Sequence, residues 1–350
     1  MSAVFDEARL DDEEALSRAD SVLRSLAEAG ARVRREAGGA AEAIEAATAA
    51  AAGEDRPRAV VAAGPDSRLL RAVLEPWCPV PFVAWPGPGL PGWAGSLDLV
   101  VVLAPEGNDS GTASAVAEAV RRGCQLAVAC PERSLVAEHA AGRHSTILPV
   151  SSGDQLATAV VMLQFLERLV LGPEADAEAV AVALDEVAIS CSPYRDLSVN
   201  PAKLLAISMA EATPLVWGGS VLAARAARRI AESIRRMSGR PALAADAEHL
   251  LPVIAAAPRH DVFADPFADV DESGDAAERR PILVILDDGS DEAPVREQRG
   301  RLVAAAAERD IHVETVAAEA GNEFARYAAL LGTGTFAAAY LGVGLGRLHG

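Results

Sequence analysis

Three turns rich in glycine and hydroxyl residues stand out as places where this chain could hold a charged small molecule. They are Ala104-Pro105-Glu106-Gly107-Asn108-Asp109-Ser110-Gly111-Thr112, Ala63-Gly64-Pro65-Asp66-Ser67 and Trp217-Gly218-Gly219-Ser220. Each follows an apolar run. Glycine lets a backbone approach a ligand closely, and hydroxyls and free N–H groups at a helix start can bind phosphate oxygens. Ser67, at the carboxyl end of a strand, would sit where open α/β sheets bind ligands. Asp109, Ser110 and Thr112 are equally ordinary helix caps, so a structural reading stands beside the functional one at every turn.

Two further groups could move protons. Glu232 lies in a helical stretch, 220–237, among Arg225, Arg228, Arg229, Arg235 and Arg236. Spacings of three and four residues make an exposed ion-pair network the plain explanation, and a general base the functional one. Glu248 and His249 are adjacent just after an expected strand and could work as acid and base, or simply open a surface helix. No two histidines have zinc-motif spacing. Asp269-Val-Asp271-Glu-Ser273-Gly274 begins like a calcium loop, but Arg280 stands where the twelfth-position glutamate is needed, so a solvated loop is expected. The glycine run Gly342-Val-Gly344-Leu-Gly346 follows a helix, so it is no dinucleotide fingerprint. No metal and no cofactor is expected.

The elements that must carry these turns alternate. Strands are expected over 59–63, 82–85, 97–104, 125–130 and 146–150, with helices over 112–122, 134–140 and 154–171. After a helix stop at Leu171-Gly172-Pro173, helices over 175–191 and 201–211 lead into a second alternation. It has strands at 214–217, 241–244, 282–286 and 312–316 and helices at 220–237, 248–256, 291–309 and 322–340. A helix over 11–51 precedes all of this. Strands alternating with helices signal βαβ units on parallel sheets. The expected class is α/β, two doubly wound domains, residues 1–172 and 173–350, each a parallel sheet with helices on both faces.

Bulk properties exclude several classes. Half of the chain is hydrophobic (51%) and only 4% aromatic, which suits Ala/Val/Leu cores beneath helices. The formal net charge of −18 opposes binding to nucleic acid or to anionic lipid. No segment is expected to approach the length of a membrane span, since the longest candidate, 156–171, is broken by Gln164, Glu167 and Arg168, and the acidic N-terminus is unlike a secretory signal. Cys78, Cys124, Cys130 and Cys191 form no CxxC pair and read as reduced thiols, with a cytoplasmic location expected.

With the turns located, the chain resembles the phosphoglucose/phosphomannose isomerase-like branch of the SIS (sugar isomerase) family. Leu99-Val-Val-Val-Leu-Ala-Pro-Glu-Gly-Asn-Asp-Ser-Gly-Thr, a helix ending Arg121-Arg122-Gly123 and a further strand are similar to that family's first domain. Thr213-Pro-Leu-Val-Trp-Gly-Gly-Ser220 with its Arg-rich helix, and Pro281-Ile-Leu-Val-Ile-Leu-Asp-Asp, are similar to its second. The opening Phe5-Asp-Glu-Ala-Arg-Leu-Asp-Asp resembles an actinobacterial subgroup.

The resemblance implies two SIS domains and metal-free interconversion of glucose 6-phosphate or mannose 6-phosphate with fructose 6-phosphate. It implies Glu232 as the base, with the ring-opening histidine either lost or displaced onto His249. Ser67, Gly107, Asn108, Ser110, Thr112, Gly219 and Ser220 are then the candidate substrate contacts. It also implies a homodimer; the apolar residues Met162, Leu163, Phe165, Leu169, Phe324, Tyr327, Leu330 and Leu331 would supply its surface unless they pack inside their own domains. Pro105 and Gly107 replace family serines, and neither the arginine expected after Val150 nor the lysine of the family's C-terminal arm has a match. The alternative function is a non-catalytic sugar-phosphate sensor or scaffold.

Overall fold

Short Val/Leu/Ala runs and helices alternate along most of the chain, as a computed structural model of the protein shows; it describes residues 4–53, 55–258 and 279–348. The calcium-loop-like segment Asp269–Gly274 lies outside the described residues. A 3-10 turn at Glu7–Leu10 is followed by α1 (Glu13–Arg18), α2 (Asp20–Ala27) and α3 (Ala29–Ala50). The single helix expected over 11–51 is therefore three. Asp12 caps α1 by accepting from the Ala15 N–H at 2.8 Å, and the backbone leaves helical geometry at Ala19 and Glu28.

The first alternation comprises β1 (Val60–Ala63), α4 (Ser67–Leu74), β2 (Phe82–Trp85), β3 (Leu99–Leu103), α5 (Ser110–Arg121), β4 (Gln125–Cys130), α6 (Leu135–His139), β5 (Ser145–Pro149) and α7 (Gln155–Arg168). Its five strands form one parallel sheet in the order β2-β1-β3-β4-β5. Every residue of β3 is buried, as a central parallel strand covered on both faces requires. Helix α4 has no counterpart among the expected helices, although Leu69, Leu70, Val73 and Leu74 give it a continuous buried face. Cys124 and Cys130 are free thiols packed in one hydrophobic cluster with Val100, Val102 and Leu126, in keeping with their spacing about β4.

The second alternation follows α8 (Ala177–Ser190) and α9 (Pro201–Ser208). It comprises β6 (Thr213–Gly218), α10 (Val221–Ser238), β7 (Leu243–Ala244), α11 (Ala247–Ala256), β8 (Pro281–Asp287), α12 (Ala293–Ala307), β9 (Val313–Ala317) and α13 (Glu323–Gly344). The strands form a parallel sheet in the order β7-β6-β8-β9. The α/β class with two parallel sheets flanked by helices is thus observed.

The compact units are residues 29–182 and residues 1–28 with 183–350, a different division from the boundary expected at 172/173. The first 28 residues join the second unit because they cover α13. The Asp6 N–H donates to the Gly344 carbonyl at 3.0 Å, Leu10 is fully buried, and the buried Lys203 ammonium donates to Asp11 at 2.6 Å and to the Pro193 and Arg195 carbonyls.

One sequence expectation is corrected by α13. Its 22 residues are long and apolar enough to cross a membrane by length and composition, so a segment does reach that length and 156–171 is not the longest candidate. The helix is 78% buried inside the structure across its most apolar window, which marks a domain's core helix. Met162, Leu163, Phe165, Phe324, Tyr327 and Leu330 are buried, so these six present no exposed surface, whereas Leu169 and Leu331 are half-buried.

Candidate functional site

Ligands of open parallel sheets bind outside the carboxyl ends of the strands, where the strand order reverses. In the first sheet that point lies between β1 and β3. Two of the three turns singled out in the sequence meet there, followed by the N-termini of α4 and α5. Gly64 ends β1 with φ 88° and no side chain, and the Thr112 hydroxyl of α5 sits against it, 3.1 Å from where a Cβ would stand.

The two helix starts are built differently. Asp109 caps α5, accepting from the Thr112 N–H at 2.7 Å and the Thr112 hydroxyl at 2.6 Å. These bonds, the side-chain one first, hold the Asp109 carboxyl below the usual range. Thr112 is therefore buried and already engaged, whereas Asn108 and Ser110 face solvent. At α4, Asp66 does not cap; its carboxylate accepts from the Gln155 side-chain amide at the start of α7. The next residue, Ser67, is 1% exposed, and its hydroxyl has no hydrogen-bond partner. A buried polar atom without a partner is uncommon and costly. Here it stands at the first residue of a helix whose N–H dipoles attract anions.

Gly107 does something else. Its φ is 69°, its carbonyl accepts from the Val136 N–H at 3.0 Å, and a side chain there would collide with Ser134. It lets the loop after β3 pack against the loop after β4, so its need for glycine is internal.

The second sheet reverses between β6 and β8, and the third turn lies there. Side chains on Gly218 and Gly219 would run into the Ala223 backbone and into Val295 and Trp217. The close approach suggested by the paired glycines is therefore to the domain's own α10 and α12. Ser220 caps α10 through the Ala223 N–H at 3.0 Å, and its hydroxyl donates to Asp288.

Glu232 lies on α10 twelve residues beyond Ser220, about 18 Å along the axis at 1.5 Å per residue. It pairs with Arg229 at 2.8 Å; Arg228 reaches Asp246, and Arg235 donates to the Ala242 carbonyl. Its carboxylate is nearly half exposed. His249 is exposed in the first turn of α11, beside Glu248, which pairs with Arg301. Glu232 and His249 thus stand on α10, which packs with α13, and on α11, which packs with α12; they share no bond, and neither belongs to the turn after β6 or after β8. Among the described residues no cluster of three metal-ligating side chains occurs.

Sequence reasoning missed two supports of the first crevice. The Glu36 carboxylate of α3, 3% exposed, accepts from the Ser151 N–H at 2.9 Å and from its hydroxyl at 3.1 Å, pinning the loop that follows β5. Asp66–Gln155 ties the β1 loop to α7. Partners 115 and 89 residues apart leave no local pattern; the only signal was Gln155 standing one residue after the α7 cap Asp154.

Comparison with known proteins agrees with this fold. Residues 198–347 match the model of the bacterial phosphoglucose isomerase C-terminal SIS domain. No curated protein sequence matches the chain. Among solved structures, tagatose-6-phosphate ketose/aldose isomerase from Escherichia coli superposes with a TM-score of 0.63 at 12% identity, covering 95% of this chain and 93% of that one. A glucose-6-phosphate isomerase like protein from Thermus thermophilus gives 0.54 at 17% identity, with 95% and 92% covered. The C-terminal domain of glucosamine-fructose-6-phosphate aminotransferase from Francisella tularensis gives 0.57 at 11%, with 90% and 96% covered. At these identities the structural likeness speaks for the fold alone, and residues 198–347 are similar to the bacterial phosphoglucose isomerase C-terminal SIS domain.

Proposed function

We propose that the protein binds a phosphorylated sugar at the β1/β3 crevice, with the phosphate at the starts of α4 and α5. The observation that carries this reading is the Ser67 hydroxyl, buried and unpartnered at the head of α4. A phosphate oxygen there would accept from it and from helix N–H groups, with Ser110 and Asn108 closing the outer side. The four free thiols suit a reducing cytoplasm.

The reaction supported by the family is aldose–ketose isomerisation, here between glucose 6-phosphate or mannose 6-phosphate and fructose 6-phosphate. After ring opening, a carboxylate takes the C2 proton and the electron pair shifts towards O1 to give an enediolate; the O2 proton passes to O1, and the carboxylate returns its proton at C1 as the carbonyl forms at C2. From the resemblance, Glu232 is the proposed carboxylate and His249 the proposed ring-opening group of that reaction; both belong to the other unit, so this assignment is independent of the phosphate proposal at the β1/β3 crevice. A coupled assay for fructose 6-phosphate tests this: turnover that disappears in Glu232→Gln supports it, and turnover surviving that change refutes Glu232 as base.

A second reading, a sensor that binds without turnover, is favoured by the pairing of Glu232 with Arg229 at an exposed position. Binding of a hexose 6-phosphate by calorimetry, with no product formed, would establish it over the isomerase.

A further inference from the structure

Beyond the phosphate, we propose that Trp85 is the platform on which the carbon skeleton of the bound sugar packs, an inference that rests on the sugar-phosphate reading of the β1/β3 crevice. Trp85 is the last residue of β2, at the carboxyl end of the sheet. It is in register with Ala63 of β1, and the Gly64 N–H donates to its carbonyl at 3.0 Å, so one hydrogen bond joins it to the glycine at the mouth of the crevice. Register partners on parallel strands point to the same face. Ala63 packs in the cluster beneath α5 with Ala113 and Val116, so Trp85 projects on the α5 side of the sheet, the side on which Ser110 opens its helix.

Its surroundings leave the residue partly exposed. The indole N–H donates to the Pro88 carbonyl at 3.4 Å, and the side chain belongs to a residue that stays 37% exposed. With its one polar atom turned back to its own loop, the indole offers an apolar, rigid surface at the same end of the sheet as the proposed anion-binding crevice. A sugar phosphate needs both: hydrogen bonds and helix dipoles for the phosphate, and an apolar wall for the C–H face of the sugar. The other exposed tryptophans have different settings, since Trp93 stacks with the Arg58 guanidinium and Trp77 follows α4 at the far end of that helix.

Calorimetric titration with glucose 6-phosphate and with inorganic phosphate, on wild type, Trp85→Ala and Trp85→Phe, tests the assignment. Trp85→Ala should weaken glucose 6-phosphate binding roughly five- to tenfold, leave inorganic phosphate binding unchanged, and be largely rescued by Trp85→Phe. Equal glucose 6-phosphate affinity in wild type and Trp85→Ala would overturn the platform while leaving the sugar-phosphate reading intact. Equal losses for both ligands in a folded Trp85→Ala, or rescue absent in Trp85→Phe, would also overturn it. Failure of wild type to bind either ligand would overturn both readings. Because the side chain is partly exposed, circular dichroism of each variant should match wild type.

Discussion

The Thr112 hydroxyl of α5 closes on Gly64 at the end of β1, 3.1 Å from where a side chain would begin. That approach brings the starts of two helices to the strand reversal of the first sheet. It also depends on a residue that can hold φ 88° without a Cβ. Gly64→Ala should destabilise the protein by about 1–3 kcal/mol, read from denaturant or thermal unfolding. Gly111→Ala, whose Cβ would meet only the Asp109 carboxylate at 3.4 Å with no positive φ, is the tolerated control.

Ser67→Ala separates ligand binding from folding. Removing a buried hydroxyl without a partner should leave the unliganded protein as stable as wild type, or more stable by up to about 1 kcal/mol. The same change should weaken inorganic phosphate and hexose 6-phosphate binding roughly tenfold, by loss of one hydrogen bond to a charged group. Unfolding melts with and without ligand measure both effects.

Asp109 makes a pH prediction. Its folded pKa is lowered, by the Thr112 hydroxyl first and the Thr112 N–H second. Its contribution to stability is therefore complete above the ordinary aspartate value of about 4 and is lost as pH falls through its depressed folded value. Melting curves from pH 6 downward should show wild type losing more stability on acidification than Asp109→Asn.

How much of this was legible in sequence depends on range. The alternation of β3, α5 and β4 could be read because a buried parallel strand is a continuous apolar run, as Leu99–Leu103 is. The turns at Gly64 and Gly107 were visible because glycine and hydroxyl residues cluster there. Their separate roles were not: Gly107 is fitted to Ser134, and Thr112 is spent on Asp109, neither of which local pattern reveals. Helix α4 was hidden because eight residues between two glycine- and proline-bearing loops give little periodicity. The grouping of residues 1–28 with the second unit rests on packing against α13 and on pairs such as Lys203–Asp11, 192 positions apart.

That pair carries its own prediction. Lys203 is wholly buried, and its ammonium is satisfied by one carboxylate and two carbonyls. Lys203→Ala strands those acceptors and should cost about 3–5 kcal/mol. Asp11→Asn keeps an acceptor beside the amine and should cost less, because the Asp11 side chain is itself largely exposed. Chemical denaturation of the two variants ranks them.

The central claim is that the β1/β3 crevice takes the phosphate of a phosphorylated sugar. Isothermal titration of wild type and Ser67→Ala with glucose 6-phosphate and mannose 6-phosphate tests it most directly. The account predicts saturable binding to wild type, competed by inorganic phosphate and weakened about tenfold in Ser67→Ala. Absence of binding to wild type, or affinity unchanged by the substitution, would contradict it.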